Sequence, residues 1–197
     1  MEIFKHGALT RRDLAIMALG GTSIFVISAM GAFAQDKAVA PEVNPPGDIP
    51  DNQAFVVYAS PLGFSIKAPE GWARKESADG VSFADKYGSV DVTISSSAAA
   101  PTLASVKAGE AADLEKNGRA VKIGAIKEAT LPSGPAVRIS FASNSEPNAV
   151  TGKKIRLESD RYLIAHAGKL ATLTFSAPAG ADNADQWKLM SDSFTWK

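Results

Sequence analysis

Apolar and polar residues alternate through most of the chain from Ala54 onward. The clearest run spans residues 89–95, where Val90, Val92 and Ile94 are separated by polar side chains. A period of two puts apolar side chains on one face of a β-strand, which is typical of antiparallel sheets. The run at residues 55–58 and the alternating sets that follow extend this pattern: Phe64/Ile66, Val81/Phe83, Val121/Ile123, Val137/Ile139/Phe141, Ile155/Leu157, Tyr162/Ile164 and Ala171/Leu173/Phe175.

Turns rich in glycine separate these predicted strands. They occur at Gly71, Gly80, Gly88, residues 132–134, Gly152 and Gly168. Because the last four or five strands are joined by short links, we expect them to form an antiparallel meander.

A helical period replaces the alternation between Thr102 and Gly118. Leu103, Val106 and Leu114 recur on one face of this Ala-, Glu-, Lys- and Leu-rich segment. Thr102 is a good N-cap residue, and Gly118 can end the helix in the left-handed conformation.

A second, shorter helix is predicted near the C-terminus. Asp182 or Asn183 can cap its start, and Trp187, Met190 and Phe194 recur at helical spacing. Each helix must bury its apolar stripe, and the sheet is the available partner. The pattern therefore predicts one α+β layered domain over residues 54–197.

The N-terminus has the features of an export signal. Residues 1–13 are polar, residues 14–34 carry no charge, and residues 32–34 form a small-x-small cleavage site. Residues 10–14 are similar to a twin-arginine signal, with general secretion as the alternative route. We expect cleavage after Ala34, although an uncharged stretch of this length could also serve as an uncleaved anchor.

Residues 35–53 form a leader that contains four prolines. Prolines so close together oppose a helix and favour extended, solvated backbone. Val43 and Ile49 are its apolar residues that could anchor it, so a leader docked on the domain is the alternative.

Composition narrows the classes of partner. The chain has 21 basic and 21 acidic residues, and removal of residues 1–34 leaves 18 basic and 19 acidic. Such a balance does not attract nucleic acid or an anionic membrane. The chain has no cysteine, which excludes disulfides, thiolate nucleophiles, cysteine metal sites and attachment of lipid to an N-terminal cysteine.

Two stretches carry a recognisable family pattern. The first is residues 62–72, which end in a Pro-x-Gly-Trp turn before Val81-Ser82-Phe83; the second runs from the strand at residues 173–178 to Ser193-Phe194. In this order they resemble the PsbP family, the group of the extrinsic photosystem II protein and its secreted relatives. The resemblance implies an antiparallel sheet of about seven or eight strands with helices on both sides, an α/β/α sandwich. It also implies a non-catalytic binding or accessory module. No functional residue of the family maps onto this sequence, and neither a photosystem role nor a lipid anchor transfers.

The chemistry visible in the sequence is sparse. His166 is the one histidine left after export, and a lone histidine is weak evidence for a metal site. We interpret it as structural; a small hydrolase that pairs it with a serine and an acid is the alternative. Asp182, Asn183 and Asp185 fit helix capping better than a calcium loop, and Glu110 is expected at an edge of the first helix. No cofactor is predicted.

The most polar inter-strand segment, residues 144–154, is the best candidate for ligand or partner contact, because loops carry function more often than strands do. Tryptophans that line a cleft are a second candidate, although aromatic residues beside strands usually belong to the core. The candidate contacts are Asn144, Ser145, Asn148, Thr151, Lys153, Lys154, Trp72 and Trp187.

The leading interpretation is therefore a periplasmic or secreted binding or accessory module of PsbP-like fold, with an envelope protein or a small ligand as its partner. We expect neither nucleic-acid binding nor membrane insertion once the signal is cleaved. The alternative is a small-ligand carrier with a pocket between the sheet and the C-terminal helix.

Overall fold

The computed structural model describes residues 36–97 and 99–197, so the predicted signal segment, residues 1–34, lies outside the described residues. Ten strands occur in this part of the chain. They are β1 (Phe55–Ser60), β2 (Phe64–Pro69), β3 (Ala73–Glu76), β4 (Gly80–Ala84), β5 (Ser89–Ser96), β6 (Lys122–Leu131), β7 (Gly134–Asn144), β8 (Arg156–His166), β9 (Lys169–Pro178) and β10 (Thr195–Trp196).

The strands form two antiparallel sheets. The larger has seven strands in the order β3-β4-β5-β9-β8-β7-β6, and the smaller has three in the order β1-β2-β10. Strands β6, β7 and β8 each pair with the next strand in sequence, so the expected meander of β6 to β9 is confirmed. β6 is an edge strand, and its pairing shifts register between Ile123 and Ala125, where an extra residue forms a β-bulge.

The first helix, α1, covers residues 103–117 in three consecutive parts. These are Leu103–Val106, a π-helical turn at Lys107–Ala111, and Ala112–Asn117. The predicted cap is confirmed, because the Thr102 side chain accepts from the N–H of Ser105 at 3.1 Å. Gly118 ends the helix with extended backbone at φ −86°, so the predicted left-handed ending is wrong.

The π-helical turn changes which residues of α1 are buried. Val106 and Ala111 are both buried although they lie five residues apart, which is the spacing of a π-turn. Leu103, predicted on the buried stripe, is 40% exposed because it lies in the first turn, before the segment that contacts the sheet. Leu114 is partly buried against the same cluster.

The large sheet packs against other elements on both faces, and part of β6, β7 and β8 is left uncovered on one of them. One face packs against α1 through a cluster that includes Val106, Val137, Ile139 and Leu163. The other face packs against the small sheet and the C-terminal helix α2 (Ala184–Ser193). The apolar stripe predicted for α2 is confirmed, with all of its residues in this second core: Trp187, Met190 and Phe194. The α+β sandwich expected from the sequence is thus the observed architecture.

The leader is docked on the domain. Ile49 is buried in the core shared by the small sheet and α2, as one of the two expected anchors. Val43, the other expected anchor, is 91% exposed, because the leader is held there by polar contacts of neighbouring residues. Across residues 36–97 and 99–197, no helix combines the length and the hydropathy needed to cross a membrane.

Candidate functional site

A groove runs between α2 and the exposed part of the sheet formed by β6, β7 and β8. It consists of two adjoining cavities of about 460 and 410 Å³. Arg138, Asp160, Ala184 and Trp187 line both cavities, so the two form one continuous surface. Cavities of this size are typical of small-molecule sites.

The polar floor of the groove follows from strand alternation on β7. Val137 and Ile139 point toward α1, so Arg138 and Ser140 point to the opposite face. There they meet Asp160 of β8: the Arg138 guanidinium lies 2.8 Å from Oδ2, and the Ser140 hydroxyl donates to Oδ1 at 2.6 Å. Asp160 is only 8% exposed, so these two partners stabilise a carboxylate that would otherwise be costly to bury.

Aromatic side chains form the apolar part of the groove. Trp187 extends from α2 and packs against Phe175, with ring centroids 6.2 Å apart and an interplanar angle of 26°. Tyr162 lies beneath Arg138, whose guanidinium carbon is 5.9 Å from the ring centroid. Burial raises the pKa of Tyr162, and the positive charge of Arg138 opposes that rise. Tyr162 therefore stays a neutral phenol at physiological pH.

Glu158 adds a second carboxyl to the first cavity. Burial raises its pKa; a hydrogen bond with the Gly180 backbone opposes the rise, and the charge of Asp160 adds to it. Among the described residues, Glu158 forms no ion pair. The groove thus offers a paired cation at Arg138, a half-buried carboxyl at Glu158 and an indole face at Trp187, which together suit binding of a ligand that is partly apolar.

Four of the predicted contact residues surround a different cavity, of about 580 Å³, between the 144–154 loop and residues 84–89 around the β4–β5 turn. These four are Ser145, Asn148, Thr151 and Lys153. Their side chains also shape the loop: Asn148 Oδ1 accepts from the N–H of Thr151 at 3.0 Å. Ser145 Oγ accepts from the N–H of Ile155 at 3.0 Å and closes the base of the loop.

Asn144 and Lys154, the two remaining predicted residues of this loop, contact the leader, and Lys153 does so as well. Asn144 bonds the leader backbone, Lys154 pairs with Asp36 at 2.6 Å, and Lys153 pairs with Glu42. The part of the loop nearest β7 and β8 is therefore occupied by a segment of the same chain.

The two predicted tryptophans lie apart. Trp187 lines the groove, whereas Trp72 packs against the edge of the core and its ring lies next to Gly88 in the β4–β5 turn. Both contact the same apolar cluster, but they do not line a common cavity.

His166 lies at the end of β8, where its ring stacks on Trp196 with centroids 5.7 Å apart. Within the part of the chain that the structure describes, no serine hydroxyl is hydrogen-bonded to it. The arrangement that would favour a hydrolase is not formed there.

Asn183, a candidate for a calcium loop, and Glu110, expected at a helix edge, both have partners within the chain. Asn183 holds the N-cap position of α2, but its side chain makes no cap bond and binds the leader instead. Glu110 on α1 pairs with Arg161 of β8, in line with the expected edge position. No three histidine or carboxylate side chains converge in the described ranges.

The groove floor was not among the predicted sites, although the sequence carries a signal for it. On one face of β8, polar Glu158 and Asp160 precede apolar Tyr162 and Ile164 in the same alternating phase. A face that changes from polar to apolar along one strand marks a sheet that is only partly covered. The position of Arg138 of β7 beside Asp160 follows only from the register between β7 and β8.

No protein-family model matches the chain, and no curated protein is significantly similar to it in sequence. Among solved structures, it is similar to cyanobacterial PsbP (CyanoP) from Synechocystis sp. PCC 6803, with a TM-score of 0.52 and 16% identity over 77% of this chain and 99% of that chain. It is also similar to LpqN, involved in cell envelope biogenesis of Mycobacterium tuberculosis (TM-score 0.46, 17% identity, 73% of this chain and 89% of that chain). A protein of unknown function, PA94 from Pseudomonas aeruginosa, matches with a TM-score of 0.44 and 14% identity over 68% of this chain and 91% of that chain. The likeness to cyanobacterial PsbP shows the fold alone, and the chain has a PsbP-like α+β fold.

Proposed function

We propose that this chain is an exported, non-catalytic binding module of the periplasm or the extracellular space, and that its ligand occupies the groove beside α2. One observation carries the proposal: an uncovered stretch of sheet presents the pre-paired Arg138–Asp160 floor next to the indole of Trp187. An exposed sheet face with apolar walls favours association with a ligand or a partner.

Arg138 is the residue best suited to orient a ligand. Its pairing with Asp160 fixes the guanidinium, while the side chain remains 43% exposed. A guanidinium carries five N–H donors, so donors remain for a carbonyl or carboxylate of the ligand. Trp187 supplies a flat apolar surface beside it. A ligand with an acceptor group and an apolar body fits both features.

Two kinds of partner satisfy this chemistry. A free small molecule would make the chain a carrier, and a side chain of an envelope protein would make it an accessory module. The proposal of export rests on the signal features of residues 1–34. Cleavage of that signal would give a mature chain that begins at Gln35, and a mass measurement of the exported chain tests this.

The test is co-purification of the exported chain from its native envelope, with mass spectrometry of bound proteins and small molecules. Ala142 lines the first cavity, so Ala142→Phe should fill it without removing a polar contact. The matched control is Ala73→Phe on β3, an exposed position at the opposite edge of the sheet.

The proposal predicts a specific partner or small molecule on the wild-type chain and on Ala73→Phe, with at least a tenfold loss on Ala142→Phe. Thermal unfolding of both variants shows whether they are folded. A ligand that both variants retain equally would move the site away from the groove, and turnover that disappears in His166→Ala would refute the non-catalytic assignment.

A further inference from the structure

Asn144 binds the leader mainly through the leader's backbone, with one longer contact from its Nδ2 to Oδ2 of Asp36 at 3.3 Å. Its Nδ2 donates to the carbonyl of Lys37 at 2.8 Å, and its Oδ1 accepts from the N–H of Val39 at 3.1 Å. One side-chain amide therefore satisfies a C=O and an N–H two residues apart, as a neighbouring strand does in peptide recognition by strand addition. Such bonds do not depend on the side chains of the bound segment.

Two lysines add selectivity for charge at either end of this contact. Lys154 pairs with Asp36 at 2.6 Å, and Lys153 pairs with Glu42. The Lys154 ammonium holds the pKa of Asp36 below its ordinary value. The loop thus contacts two carboxylates six positions apart on an extended segment.

Asn144 is held in place by the domain itself. It is 4% exposed, and its Oδ1 also accepts from the guanidinium of Arg156 at 3.1 Å. Arg156 is buried as well and donates to the carbonyl of Ala120 at 2.8 Å. Because these contacts do not involve the leader, the amide stays oriented when the leader is absent. Pre-orientation lowers the entropic cost of binding a peptide.

The leader has two parts that differ in how they are held. Residues 36–42, here called the arm, contact the loop through polar groups that are exposed or half-buried. Residues 47–51 are fixed by buried Ile49 and by Asn183. Between the two parts, Val43 is almost fully exposed. Since exposed ion pairs contribute little stability, the arm can detach while the second part stays bound.

We propose that Asn144, Lys153 and Lys154 form a recognition site for an extended acidic segment of a partner protein, and that the arm occupies this site in cis until the partner displaces it. The partner segment carries carboxylates about six residues apart and presents free backbone groups between them. This site is separate from the groove beside α2, so its test does not depend on the proposed function.

The test uses the exported chain that begins at Gln35, whose described residues form one compact unit, and a fluorescent peptide with the sequence of residues 35–43 as the probe. Asp36→Lys with Glu42→Lys reverses the charges of the arm and should release it. We expect the peptide to bind this released variant at least tenfold more tightly than it binds the wild-type chain. Asn144→Ala in the released variant should lower peptide affinity at least tenfold.

The control is Asp113→Lys with Glu115→Lys, which makes the same change in net charge on exposed positions of α1. It should leave peptide binding at the wild-type level. A rescue experiment tests the ion pair directly, in a chain whose arm carries Asp36→Ala and Glu42→Ala so that it has no charge to pair: there, Lys154→Glu should bind a peptide in which Asp36 is replaced by lysine better than the original peptide.

Amide hydrogen exchange at Val39 reports whether the arm has detached. The proposal is overturned if charge reversal leaves Val39 protected, if the released variant does not bind the peptide, or if Asn144→Ala does not weaken binding. A concentration-dependent dimer of the wild-type chain that the released variant does not form would instead show exchange of arms between copies and would overturn the claim of a separate partner.

Discussion

The backbone N–H of Ile49 donates to Oδ1 of Asn183 at 2.6 Å, across 134 positions of sequence. Nδ2 of the same Asn183 donates to the carbonyl of Gly47 at 2.9 Å. The amide that the sequence suggested as a helix cap thus holds the leader against the start of α2. The second part of the leader is therefore a structural element of the domain: both groups of the Asn183 amide bind it, and its Ile49 side chain is buried in the core.

Asn183→Ala should destabilise the domain by about 1–3 kcal/mol, because it leaves the buried N–H of Ile49 without its acceptor. Chemical denaturation measures the change in unfolding free energy. Asn52→Ala, at an exposed turn position nearby, is the control and should change stability by less than about 0.5 kcal/mol. Equal effects of the two variants would mean that the leader does not contribute to stability.

Arg138→Met should cost about 1–3 kcal/mol of unfolding free energy, because it leaves the nearly buried carboxylate of Asp160 without its cation. Lys188→Met is the comparison, since its pair with Asp192 is a solvent-exposed i,i+4 contact and should contribute less. Denaturant unfolding of both variants at neutral pH tests the difference. A smaller loss for Arg138→Met than for Lys188→Met would contradict the description of the groove floor.

The Glu158 carboxyl should titrate above its ordinary value of 4.5, because burial disfavours its charged form. A raised pKa in the folded state means that the domain loses some stability as pH rises through the ordinary range of glutamate. Glu158→Gln should therefore be slightly more stable than the wild-type chain at pH 7, by about 0.5 kcal/mol or less after solvent screening, and equal to it below about pH 4. NMR titration of Glu158 and denaturation at both pH values check this; a pKa below 4.5 would be the opposite result.

The arm should detach in acid. Lys154 lowers the pKa of Asp36 below 3.8, so Asp36 favours docking at neutral pH, and this contribution is lost as pH falls below that value. Val39 amide exchange should show faster opening in Asp36→Asn than in the wild-type chain at neutral pH, with the difference shrinking as pH falls below 3.8. A difference that is independent of pH would rule out the ion pair as its cause.

The alternation of apolar residues predicted most strands of the large sheet, because these strands pack one face against a core. It did not predict β3, whose four residues are all exposed, or the two residues of β10. β10 exists because Thr195 and Trp196 pair with β2, more than 120 positions earlier. Such pairing follows from the assembled fold and leaves no periodic trace in the sequence.

The loop at residues 144–154 was identified for its polarity, but polarity alone does not distinguish an external ligand from a segment of the same chain. Lys153 and Lys154 carry charges that the leader matches, and the leader is more than 100 positions away in sequence. The groove was missed for a related reason. Its floor joins Arg138 and Asp160 from neighbouring strands, and their contact depends on the register between β7 and β8.

The central claim, that the groove beside α2 is the ligand site, is tested most directly by the indole N–H signals of the three tryptophans in an NMR spectrum of the exported chain. Trp187 lines the groove, Trp72 lies beside the β4–β5 turn, and Trp196 stacks on His166. On addition of the molecule that co-purifies from the native envelope, we expect a shift of the Trp187 signal with Trp196 unchanged, and no shift in Ala142→Phe. Saturable binding that leaves Trp187 unchanged would contradict it.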